Sequence, residues 1–144
     1  LNKKISFLLS GVLFFISGTG LLNAAEDTRQ KVELPEMMQN HMLTSMRDHL
    51  VTINTLLILT SKGELDQAAE LAESRLGMSS LGSHGAAHMA KFMPQGMQKA
   101  GTAMHKAASR FARKAQEGEV LEAYKAMADI TSACVACHSA YRIR

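Results

Sequence analysis

The chain has 144 residues, 47% of them hydrophobic and 20% charged, with ten Met and no Trp. That is the size and make-up of one small globular domain, and it excludes a disordered segment or a string of domains. The formal charge of +3 includes Lys3 and Lys4, which fall in an expected leader; without them it is about +1, too weak a bias to attract nucleic acid.

Lys3-Lys4, an apolar run from Ile5 through Ile16 to Leu22, and Asn23-Ala24-Ala25 before Glu26-Asp27 predict a secretory signal peptide over 1–25, cut after Ala24 or Ala25. The competing reading is an uncleaved anchor, for which the run is at the short end. No later segment is apolar enough to span, so no membrane association is expected after cleavage. The domain over 26–144 is then about 120 residues, near the lower size at which one core closes unaided. Its aromatics are Phe92, Phe111, Tyr124 and Tyr141, so something besides side chains is expected to fill the core.

After a polar lead from Glu26 to Leu34, Pro35 opens a long helix. Met38, Met42, Met46, His49, Leu50, Ile53 and Leu57 recur at spacings of three and four and predict its apolar stripe. Gly63 supplies a left-handed stop. A second helix is expected from Glu64 to Leu76, with Leu65, Ala68, Ala69, Ala72 and Leu76 inward and Gly77 ending it. From Met78 to Gly96, glycines, serines and Pro94 break the pattern and predict a long connection with one helical turn near Ala86 to Phe92.

A third helix is expected from Met97 to Gln116, with Ala100, Met104, Ala107, Ala108, Phe111 and Ala115 inward. Gly118 separates it from a fourth, Glu119 to Arg142, with Leu121, Tyr124, Met127, Ala128, Ile130 and Cys134 inward. No stretch alternates like a strand. The fold class is therefore all-α, an antiparallel four-helix bundle.

The last of these helices ends in Cys134-Val135-Ala136-Cys137-His138, the pattern of c-type haem attachment. Thiols three apart on a helix face one side and reach the two vinyl groups of one porphyrin, and the adjacent His reaches the iron. Two Cys and six His placed at random give this run roughly once in 1,700 chains, so it is read as chemistry rather than composition. Three plainer readings stand beside it. A disulfide between such neighbours is strained, a thioredoxin-like pair wants a helix start after a strand, and a zinc site needs two more ligands at matching spacing.

Only Ser139 to Arg144 follow His138. The ending Cys134-Val-Ala-Cys-His138-Ser-Ala-Tyr141-Arg142 on the last of four helices resembles the class II cytochromes c, the cytochrome c-prime group and its low-spin relatives. The resemblance spans the domain as helix order, but only the last dozen residues are specific. It implies one covalent haem c held within a four-helix bundle near the C-terminus of the last helix, and a periplasmic, often homodimeric protein. Cys134 and Cys137 become the thioether sites, His138 the proximal iron ligand, and Arg142 a basic residue near the haem edge.

The family divides at the other side of the iron. Members with a Met from the first helix are low-spin carriers exchanging one electron with redox partner proteins; members with an apolar residue there are five-coordinate and bind nitric oxide or carbon monoxide. In the family the distal position falls about four turns before the turn that ends the first helix, which here, counting back from Lys62-Gly63, implies Met46 as distal ligand, with Met42 one turn earlier the next choice, then His49 or His41, or an open site. Each Met also serves as ordinary core filling. Where the family usually has Arg one turn before the distal position, this chain has Met42; Arg47 is the nearest substitute to meet a propionate.

His84, His88, Met89, Met93, Met97, Met104 and His105 invite a copper reading, although the spacings also suit packing, and His84 and His88 are expected at the surface or just behind the ligands. Glu70 with Glu73, and Glu117 with Glu119, are expected to be solvated. With no nucleophilic triad or phosphate-cradling glycine loop in the sequence, no enzyme is expected.

Overall fold

The computed structural model describes residues 26–144, and the expected leader over 1–25 lies outside the described residues. The described residues are all-α in character: α1 (Glu36–Ser61), α2 (Leu65–Arg75), α3 (Ala86–Ala90), α4 (Gln95–Gln116) and α5 (Val120–Ala140), with a 3-10 turn at Met78–Ser80. Pro35 and Pro94 each stand one residue before a helix. Their carbonyls accept the first helical bonds, from Gln39 N at 2.9 Å and Gln98 N at 3.1 Å, and a proline there leaves no N–H unpaired. That is why α4 starts two residues ahead of the expected Met97.

α1 and α4 stop in the same way. Gly63 and Gly118 both take φ of +76°, and the residue after each donates back into the last turn, Glu64 N to Leu59 O and Glu119 N to Lys114 O, both at 3.0 Å. This closure satisfies carbonyls the helix end would otherwise leave free, and glycine adopts its φ without strain. Each stop folds the next helix back, so α1 packs on α2 and α4 on α5, while α2 also packs on α4. α1 touches α4 and α5 little, which leaves a gap along its flank.

Two apolar clusters result. The larger holds Leu56, Leu76, Phe111 and Ile130, all fully buried, set among alanines of α2, α4 and α5. The smaller holds Val32, Met42, Met89 and Met97, with Cys137 and Tyr141 against it. Inward faces on α2 and α4 are as expected, but those on α1 and α5 differ. The buried line of α1 is Met42, Ser45, His49, Thr52, Leu56 and Thr60, while Leu50 and Leu57 are exposed. Thr52 fits because its hydroxyl donates to Asp48 O at 2.8 Å, meeting its polar need inside the helix. On α5 the buried residues are Ala123, Ala126, Met127 and Ile130, and Leu121, Tyr124 and Ala128 face out.

The expectation of no strand is also corrected. β1 (Gln30–Lys31) pairs in parallel with β2 (Tyr141–Arg142), and Val32 N donates to Arg142 O at 2.8 Å, so α5 ends at Ala140 rather than Arg142. Two residues are too few to show a period of two. The lead is thereby tied to the far end of the chain. Arg29 donates to His138 O at 3.2 Å and to Asp27, whose carboxyl it holds down at about 2.

Candidate functional site

The gap beside α1 is a cavity of about 290 Å³ with four walls: α1 supplies Met42, Ser45, Met46 and His49; the connection Leu81, His84, Met89 and Met93; α4 Met97, Met104 and His105; and α5 Cys137. That is at the lower edge of the range of about 300–1,000 Å³ typical of ligand pockets. Its lining is chiefly thioether and apolar carbon, with imidazoles gathered at one end. A hollow of about 470 Å³ lies on α4 alone, lined by Gln95, Gln98, Lys99, Thr102, Ala103 and Lys106; it has no second wall and no convergent donors.

Cys134 and Cys137 are free and half-buried. Being three apart on α5 they turn to the same side, Cys134 against the larger cluster and Cys137 against the smaller. Burial raises the pKa of both thiols, and for Cys137 the neighbouring Cys134 adds to it. They also sit at the C-terminal end of the helix, where the macrodipole opposes a thiolate. A thioredoxin-like pair needs the reverse on both counts. Among the described residues no three His, Cys, Asp or Glu side chains are gathered closely enough to hold a metal ion as they stand, so nothing completes a zinc site around the thiols.

The other expected site residues fall in different places. Met42 is 7% exposed and packed with Met89 and Met97, whereas Met46 is 37% exposed at the rim. His49 is in the wall, and His41 is exposed beside Gly85, outside the lining. His138 is exposed, outside the lining, with its carbonyl bonded to Arg29. Arg142 lies in β2, its Nε 3.5 Å from Asp27 Oδ2 yet buried with no hydrogen-bond partner.

One grouping of side chains is not expected from the sequence. His49, His84 and His105 converge at the end of the cavity next to the 3-10 turn. His49 Nε2 and His84 Nε2 are 3.3 Å apart, and the ring centroids are 4.7, 5.3 and 6.1 Å apart. His84 therefore belongs to the wall, while His88 is exposed as expected. Burial, then the His84 and His105 rings, lowers His49 to about 4, and burial lowers His84 as well. Glu73 is also more engaged than expected, accepting from Ser79 N at 3.1 Å and so pinning the 3-10 turn.

The donor set fits a haem in its thiols, its apolar wall and its thioethers. Arg142 Nε, paired with Asp27 at 3.5 Å but without a hydrogen bond, is a cation near the motif that suits an anionic edge. No family model, curated protein or solved structure matches the chain.

Proposed function

We propose that the protein is a periplasmic monohaem c-type cytochrome in four-helix-bundle form, exchanging single electrons with redox partner proteins. The observation that carries this is the Cys134-x-x-Cys137-His138 run with Cys137 in the wall of a methionine-lined cavity. Cys134 and Cys137 hold the porphyrin as thioethers, His138 is the proximal ligand, and Arg142 faces the charged edge. Bound haem c supplies one-electron iron chemistry. The chain's part is to shut water from the ring with Met42, Met89 and Met97 and to offer a sixth donor.

Met46 is that donor in this reading. Met42 is committed to packing, while the half-exposed Met46 thioether is free to turn inward from the same face. The same exposure favours a second reading, a five-coordinate haem protein that binds nitric oxide or carbon monoxide. Apolar surface for a partner or a second copy of the chain is available on α1, where Leu50, Val51, Leu57 and Ile58 are exposed.

Protein matured in a host with haem-attachment machinery is expected to be coloured and to keep its haem through acid-acetone extraction. Freely extracted haem, or a colourless product, overturns the proposal.

A further inference from the structure

The geometry points to a second metal site, for copper(I), built from His49 and His84 with His105 and the Met104 thioether completing it. It goes beyond the cytochrome reading and uses none of the residues assigned to the haem. His49 Nε2 and His84 Nε2 stand 3.3 Å apart, close to the span of two nitrogens each about 2.0–2.1 Å from one metal at a tetrahedral angle.

The surroundings fix which ring nitrogen is free on His105 and on His84; a metal between His49 Nε2 and His84 Nε2 would take the place of any proton they share. His105 Nδ1 donates to Leu76 O at 2.7 Å, leaving Nε2 with its lone pair. Ser80 Oγ spends its proton on Gly77 O at 2.7 Å, so towards His84 Nδ1, 3.4 Å away, it acts as acceptor. His84 Nε2 is then unprotonated too. Imidazoles that ligate metals are held in this way, one nitrogen bonded to a carbonyl or oxygen and the other turned to the ion.

The choice of metal follows from the rest of the wall. The cavity offers imidazole and thioether, with no carboxylate among its lining residues. Thioether is a soft donor and selects copper(I). A divalent zinc ion would place two uncompensated charges against apolar carbon, copper(I) only one. Copper(I) also accepts few ligands, so the pair already in place needs one further donor, and His105, its ring centroid 5.3 Å from that of His84, and Met104 line the same cavity. The site shares its cavity with Cys137 but none of its donors is on α5: His49 lies one turn beyond Met46 on α1, and His105 and His84 are anchored to Leu76 and Ser80.

The test uses full-length protein matured with haem-attachment machinery, with any free thiols blocked by iodoacetamide so that cysteine cannot take the metal. Copper(I) is titrated without oxygen against a chromogenic copper(I) chelator. One equivalent is expected to be withheld, with nitrogen and sulfur neighbours in its X-ray absorption spectrum. His84→Asn and His49→Asn should each weaken retention about tenfold or more, and His88→Asn should leave it unchanged. If His49→Asn does not fold, His84→Asn on the connection decides. No copper withheld, equal loss in His88→Asn, or zinc displacing copper at equal concentration overturns the site. A colourless protein that holds copper overturns the cytochrome reading alone; a haem-bearing protein that does not overturns the copper site alone.

Discussion

An imidazole is buried most cheaply when it stays neutral, and His49, 7% exposed, has its pKa lowered from 6.5 to about 4. Between those values the unfolded chain takes up a proton that the folded one refuses, so stability falls as pH drops through that window and levels off below it. The loss is at most about 3 kcal/mol. Denaturant unfolding between pH 7 and pH 4, with copper chelated, should show it, and His49→Gln should flatten the profile. Met46 and Met42 make a second contrast. Met46→Ala should turn a low-spin haem spectrum high-spin and speed carbon monoxide binding at little cost in stability. Met42→Ala should leave the spin state alone while costing about 2–4 kcal/mol, as a buried thioether does; a spin change in Met42→Ala instead moves the distal position by one turn. At this scale the cysteine motif was legible because its residues are contiguous. The imidazole group was not, because His49 and His84 are 35 positions apart and only the fold brings them together.

Helix existence was legible and helix facing less so. On α2 and α4 the inward residues are small or apolar at regular spacing, and the pattern names the face correctly. α1 buries Ser45, Thr52 and Thr60; the Thr52 hydroxyl bonds its own helix, which a count of apolar residues does not register, and the Thr60 hydroxyl is buried without a partner. On α5 the alanines Ala123 and Ala126 form the seam against α4, and the larger Leu121 and Tyr124 lie outside it. Close packing takes small side chains at Ala123 and Ala126 and large ones at Met127 and Ile130. The turns are the most legible elements, since a left-handed residue after a helix selects glycine. Gly118→Ala tests this cleanly: an added Cβ meets nothing within 4 Å, so the cost is backbone strain alone, about 1–2 kcal/mol. A larger loss by thermal or denaturant unfolding would mean that the turn does more than stop α4.

Over the whole molecule the two clusters predict unequal dependence on the proposed haem. The larger is closed by Phe111, Leu56, Leu76 and Ile130; the smaller borders the cavity and includes Cys137. Changing both Cys134 and Cys137 to Ala should therefore leave α2, α4 and α5 protected from hydrogen exchange while the connection over 78–94 becomes sensitive to protease. An unchanged cleavage pattern would show that the smaller cluster closes on its own side chains. All-α character was legible from periodicity. The tie between the lead and the last residues was not, since pairing between distant two-residue segments leaves no pattern in either.

That tie also orders events in time. Arg29 and His138 meet across 109 positions, and closing so long a loop carries an entropic penalty that only a nearly folded chain has already met. β1 therefore docks on β2 after the helices have formed. A group joined to Cys134 and Cys137, as proposed, would have its easiest access before that docking. Removing the lead should keep the motif open for longer, at the expense of a folded end that frays.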